Sequence, residues 1–81
     1  MTEYRNSNHV TSVSILAVGK PNAKGVRTIM TDQGSFVSYE WCDTDSLVRG
    51  DAVVEIQYTT AINEDGNERP MRPKIVSAVN I

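Results

Sequence analysis

The sequence predicts an all-β domain, a small five-stranded Greek-key barrel. Three observations carry this expectation. Runs rich in Val, Ile, Ser and Thr recur along the chain without helical spacing. Clusters of Gly, Pro, Asn and Asp separate them at short intervals. The resulting order is strand, loop, hairpin, short connector, strand, long loop, strand, which suits a small antiparallel barrel. Eighty-one residues make one domain with a thin core.

Each element has its own signal. Residues 1–9, MTEYRNSNH, are polar and aperiodic and are expected as a flexible arm or short cap, with the barrel domain over 10–81. VTSVSILAVG (10–19) is β-branched and is the first strand. GKPNAKG (19–25) has the chemistry of a loop. VRTIMT (26–31) and FVSYEWC (36–42) are the second and third strands, joined by the turn DQGS (32–35). DTDSLVRGD (43–51) is a connector with room for one helical or 3₁₀ turn started by Asp43 or Asp45. AVVEIQYT (52–59) is the fourth strand, with Val54, Ile56 and Tyr58 on its apolar side. TAINEDGNERPMRP (60–73) is expected as the longest irregular segment. Residues 74–81 are the fifth strand, with Ile75, Ser77, Val79 and Ile81 on one face.

The hairpin of the second and third strands has a testable register. With Gln33 and Gly34 as turn residues, Thr31 faces Phe36 and Arg27 faces Glu40, a favourable pair. One face is then Val26, Thr28, Met30, Val37, Tyr39 and Trp41, and it is assigned to the core. The other, with Arg27, Ile29 and Phe36, is assigned to solvent. A one-residue bulge in the third strand would turn Trp41 outward.

Charge is sorted along the chain. Residues 4–31 carry Arg5, Lys20, Lys24 and Arg27 and no acid. Residues 32–68 carry nine acids against Arg49 alone. Arg69, Arg72 and Lys74 follow, again without an acid. The net charge of −2 therefore hides two basic ends around an acidic middle. If the fold joins the loops bearing Lys20/Lys24 and Arg69/Arg72, they make a local positive site, and local potential steers an anionic ligand.

The run LVRGD followed by AVVEIQY (47–58) is similar to the Leu-x-x-Gly-Asp-x-Val-x-Val opening of the fourth strand in many small OB-folds. The same Gly-Asp opening also occurs in SH3-like barrels. The chain resembles, over roughly residues 10–81, small OB-fold nucleic-acid-binding proteins of the single-stranded-DNA-binding or translation-initiation-factor-one type. The resemblance implies a binding site on the face of the second and third strands and on the loops before the second and fifth. Here those regions hold Lys20, Lys24, Arg27, Arg69, Arg72 and Lys74 for phosphates and Phe36 for base stacking, with Trp41 added if the third strand is bulged.

The expected function is non-catalytic binding of single-stranded nucleic acid, DNA favoured, with little sequence preference. The alternative is a protein-interaction module that docks through Glu40, Asp43, Asp45 and Asp51 or through an exposed strand edge. A homodimer or higher oligomer is expected, because a small barrel incompletely closed between its outer strands leaves edges that pair. No catalytic residue, metal site or cofactor is expected. His9 and Cys42 are single, and the aspartates lack the spacing of a calcium loop. The Gly19–Gly25 loop lacks the ending of a P-loop. No apolar run approaches the ~20 residues of a membrane span. No leader is visible and one cysteine forbids an internal disulfide, so a cytoplasmic location is expected.

Overall fold

The computed structural model describes residues 2–81. It is all-β, with no helix among the described residues. The strands are β1 (Glu3–Val18), β2 (Arg27–Thr31), β3 (Gly34–Ser38), β4 (Gly50–Ile62), β5 (Glu68–Pro70) and β6 (Lys74–Asn80). Neighbours run β1-β2-β3-β6-β4, and β4 pairs again with β1, so five strands close into a barrel. The three-residue β5 lies beside the far end of β4. The β3–β6 contact is parallel and the other strand pairings are antiparallel. This circuit is compatible with an OB-like fold.

The longest ladder joins β1 to β4, from Glu3↔Ile62 to Ile15↔Gly50 without a register shift. Residues 3–9, expected as a flexible arm, are instead the first half of β1. No apolar alternation marks them, because neither of their faces enters the core. Side-chain hydrogen bonds on one face support the backbone ladder there. Thr59 Oγ1 meets Asn6 Oδ1 at 2.7 Å, and Asn8 Nδ2 donates to Glu55 Oε2 at 2.6 Å. Nearer the barrel, Ser14 Oγ donates to Asp51 at 3.0 Å. The ribbon of residues 3–9, 57–62 and β5 lengthens the molecule to 43 Å. The radius of gyration is 13.6 Å, against about 12 Å for a compact chain of this length.

β1 then changes partner. A bulge between Ile15 and Ala17 bends it from β4 onto β2. At the fork Asp32 bonds Ser14 twice. Its N–H donates to the Ser14 carbonyl at 3.1 Å, and its carboxylate accepts the Ser14 N–H at 3.0 Å.

The β2–β3 hairpin corrects the expected register. Its turn residues are Asp32 and Gln33, so Thr31 faces Gly34, Ile29 faces Phe36 and Arg27 faces Ser38. The core face is also reversed. Ile29, Thr31, Phe36 and Ser38 point inward, Thr28 and Met30 are exposed, and of the face assigned to the core Val37 alone is buried. Both faces of this hairpin carry apolar groups, so alternation alone does not choose between them. Packing against Val13, Ile15, Val54 and Ile75 makes the choice.

β3 ends at Ser38, four residues earlier than expected. Tyr39–Cys42 form a turn closed by the Cys42 N–H on the Tyr39 carbonyl at 2.9 Å. The chain rejoins the sheet at Asp43, which bridges to β6 through Val76 and Ala78. The stretch 39–49 is thus the longest irregular segment, in place of 60–73, where β4 continues to Ile62 and β5 follows. The Leu47 N–H donates to the Thr44 carbonyl at 3.2 Å, a single turn that places Leu47 in the core. A bulge in β6, between the partners of Glu55 and Ile56, turns both Ile75 and Ala78 inward and leaves Val79 outside. The expected face of Ile75, Ser77, Val79 and Ile81 is broken by that extra residue.

Ser38 and Thr44 flank the 39–43 excursion. Their hydroxyls meet at 2.7 Å with both residues buried. Thr44→Val is expected to strand the Ser38 hydroxyl and lower stability by about 1–3 kcal/mol in urea unfolding. Adding Ser38→Ala should recover most of that loss. A double variant as unstable as the single would show that the hydrogen bond is not what the site requires.

Candidate nucleic-acid interface

The feature with the clearest binding chemistry lies where β3 gives way to its turn. Tyr39 and Trp41 stack with ring planes 3° apart and centroids 6.2 Å apart, an offset arrangement. The Lys74 ammonium lies 5.0 Å from the Tyr39 centroid and 5.7 Å from that of Trp41. Backbone pairing places these groups. Lys74 opens β6, opposite Val37 on one side and Gln57 on the other. Its neighbour Ile75 is buried, so Lys74 points outward.

Trp41 is 66% exposed, which corrects its assignment to the core. Phe36, expected to stack on bases, is 5% exposed and belongs to the core cluster. Ile29, expected on the outer sheet face, is fully buried. The places of Phe36 and Ile29 follow from the reversed hairpin face, and that of Trp41 from the end of β3 at Ser38. Tyr58, read as core, is 46% exposed, because it faces Ser7 on the ribbon beyond the last barrel layer.

The β1–β2 loop borders Tyr39. Pro21, Lys24, Arg27, Tyr39, Glu40 and Asp45 help line an open groove of about 600 Å³. An asparagine organises this loop. Asn22 Oδ1 accepts the Lys24 and Val26 N–H groups at 2.8 and 3.1 Å. Gly25 completes the turn at φ 78°, and a Cβ there would stand 2.9 Å from the Cβ of Glu40. The same device recurs at the β4–β5 tip, where Asn63 Oδ1 accepts the Asp65 and Asn67 N–H groups and Gly66 has φ 83°.

The cations are distributed unevenly. Lys24 lines the same groove as Tyr39, and Lys74 lies over the Tyr39 ring. Lys20 is exposed in the same loop as Lys24 but does not line the groove. Arg27 is committed to Asp45, with Nη2 3.1 Å from the carboxylate, and does not pair with Glu40 as expected. Arg69 and Arg72 line a different groove of about 760 Å³, with Tyr4, Ala61 and Met71. The two grooves share no lining residue. The two basic loops therefore do not form one cleft. Arg5 lies 3.9 Å from Glu68 on the ribbon.

Sequence reasoning missed Tyr39 as a site residue. Its signal was the spacing of two aromatics, Tyr39 and Trp41, on one parity next to a turn. Cys42 is buried and His9 is exposed on β1.

The fold and these side chains define a class: a small closed β-barrel that presents an aromatic pair and a lysine on its outer surface. Comparison with protein-family models, curated proteins and solved structures finds no match to this chain.

Trp41 is the chain's one tryptophan, so its fluorescence reports this site alone. Its emission is expected at the red-shifted wavelength of solvated indole, with strong quenching by iodide. Blue-shifted emission that resists iodide would return Trp41 to the core.

Proposed function

We propose that the protein binds single-stranded nucleic acid without catalysis, single-stranded DNA first, and with little sequence preference. The observation that carries this reading is the exposed Tyr39–Trp41 stack with Lys74 over its rings. Every base has a π-face, so an aromatic platform accepts any sequence, and each stacked base contributes about 1–3 kcal/mol. Phosphates require cations beside the platform. Lys74 supplies one, and Lys24 and Lys20 supply two more from the β1–β2 loop. Arg27 contributes less, because Asp45 already compensates its charge. Phe36 takes no part from within the core. Arg69 and Arg72 offer contacts only to a strand long enough to reach the second groove.

The acidic connector limits the strength of this interaction. Glu40 and Asp45 line the same groove as Lys24. Binding is therefore expected to be modest, with most of its free energy from stacking. Three neutralised phosphates give a slope of log K against log salt of about −2.

Titration of oligothymidylate at low salt should quench Trp41, with duplex DNA and single-stranded RNA as further arms. Trp41→Ala should weaken binding by about 1–3 kcal/mol and leave the salt slope nearly unchanged. Lys20→Ala with Lys24→Ala should flatten the slope by about 1.4. Absence of binding to either single strand at low salt would end this reading. Loss of a protein complex on neutralising Glu40, Asp43 and Asp45, with the lysine variants silent, would favour docking to a protein.

A further inference from the structure

β1 has one long unpaired edge. It pairs with β4 over residues 3–15, but β2 takes only Ile15, Ala17 and Val18 on the other side. Residues 3–14 therefore have no neighbouring strand there among the described residues. The hydrogen-bond phase of this edge can be read from the fork. Ser14 directs both its N–H and its carbonyl to Asp32, away from β4. In an unbroken antiparallel ladder this direction alternates from residue to residue. Tyr4, Asn6, Asn8, Val10 and Ser12 thus point their N–H and C=O groups at the open edge. Their opposite numbers on β4 agree. The Asp51 and Thr59 carbonyls accept from Ile81 and Met71 on the far side of β4, as this phase requires.

We propose that this edge pairs with the same edge of a second copy, antiparallel about a twofold axis at Asn8. The five edge-directed residues are spaced symmetrically about Asn8. Tyr4 then faces the partner's Ser12, Asn6 faces the partner's Val10, and Asn8 faces itself. Each of these pairs exchanges two backbone hydrogen bonds, so every open group is satisfied by an isologous contact. Other registers of the same phase leave at least one of the five unpaired. Side chains permit this register. None of the five is charged, and Arg5 falls opposite the partner's Thr11 and Glu3 opposite Val13 of the partner subunit. The edge also lacks the lysine, proline or bulge that protects edges meant to stay single. β5, the other short edge of the ribbon, is three residues long and ends in Pro70. The two barrels would share one continuous sheet, with the exposed Val10 at the new seam and the exposed Val53 one strand away on β4. This inference is independent of what the aromatic platform binds.

Sedimentation equilibrium and amide hydrogen exchange on the unaltered protein test it. A dimer is expected at tens of micromolar. In it, the amides of Tyr4, Asn6, Asn8, Val10 and Ser12 should exchange about a hundredfold or more slower than in dilute monomer, with the intervening amides protected in both. Two charged variants test the register. Tyr4→Lys with Ser12→Lys places like charges face to face across the seam, as does Tyr4→Glu with Ser12→Glu. Each should sediment as a monomer with an unchanged circular dichroism spectrum, and an equimolar mixture should dimerise. Should either variant fail to fold, the exchange pattern of the unaltered protein decides alone. A monomer at tens of micromolar, a dimer that persists in both charged variants, or a dimer in which those five amides exchange freely would overturn the proposal.

Discussion

The β1–β4 ladder is the constraint from which the rest of the structure follows. Its inner half closes the barrel, bringing Val13 and Ile15 against Ala52, Val54 and Ile56. Its outer half carries the pairing past the core, where no apolar face is buried. Backbone bonds and the Asn6–Thr59 and Asn8–Glu55 contacts hold it there. One uninterrupted register therefore gives both a closed barrel and an extended ribbon. It also dictates the direction of every free amide on β1. A barrel abolishes edges only over the length on which all its strands are present. Because β1 and β4 outrun their neighbours, this barrel is closed at its waist and open along its ribbon.

The aromatic platform depends on a second device. β3 cannot continue past Ser38 as a strand, because the chain leaves the sheet for a four-residue turn and returns at Asp43. The buried Ser38–Thr44 hydrogen bond ties the base of that excursion. Tyr39 and Trp41 ride on it and stack outward, where the outward-facing first residue of β6 supplies Lys74. The buried hydroxyl pair thus links core packing to surface chemistry. The segment that presents the rings also brings Glu40 and Asp45, so charge sorted by sequence becomes mixed in space.

Much of the fold was legible in the chain. The β-branched runs mark parts of β1, β2, β3, β4 and β6, and the Asn-x-x-Gly stretches at 22–25 and 63–66 mark their turns. The Gly50–Asp51 opening of β4 stands where the pattern places it. Less of the site was legible. Phe36 lies inside because the hairpin of β2 and β3, with apolar groups on both faces, turns that face inward, and Trp41 lies outside because β3 ends at Ser38 and the chain turns. Lys24 is exposed and Lys74 partly exposed, and the meeting of Lys74 with the ring of Tyr39, whose groove Lys24 also lines, was not evident. The polar residues 3–9 carried no strand signal, since their pairing rests on backbone groups that every sequence possesses.

Sequence by itself determined the all-β class and the rough placing of β1, β2, β3, β4 and β6, because these depend on local propensity and on residues that permit or forbid a backbone conformation. Only the tertiary structure decided which hairpin face is the core, where bulges fall in β1 and β6, and how far β1 and β4 extend. Those are consequences of closure. A strand's inner face is chosen by what stands across the barrel, and a bulge falls where a strand must change neighbours. Neither cause is local to the residues that show the effect.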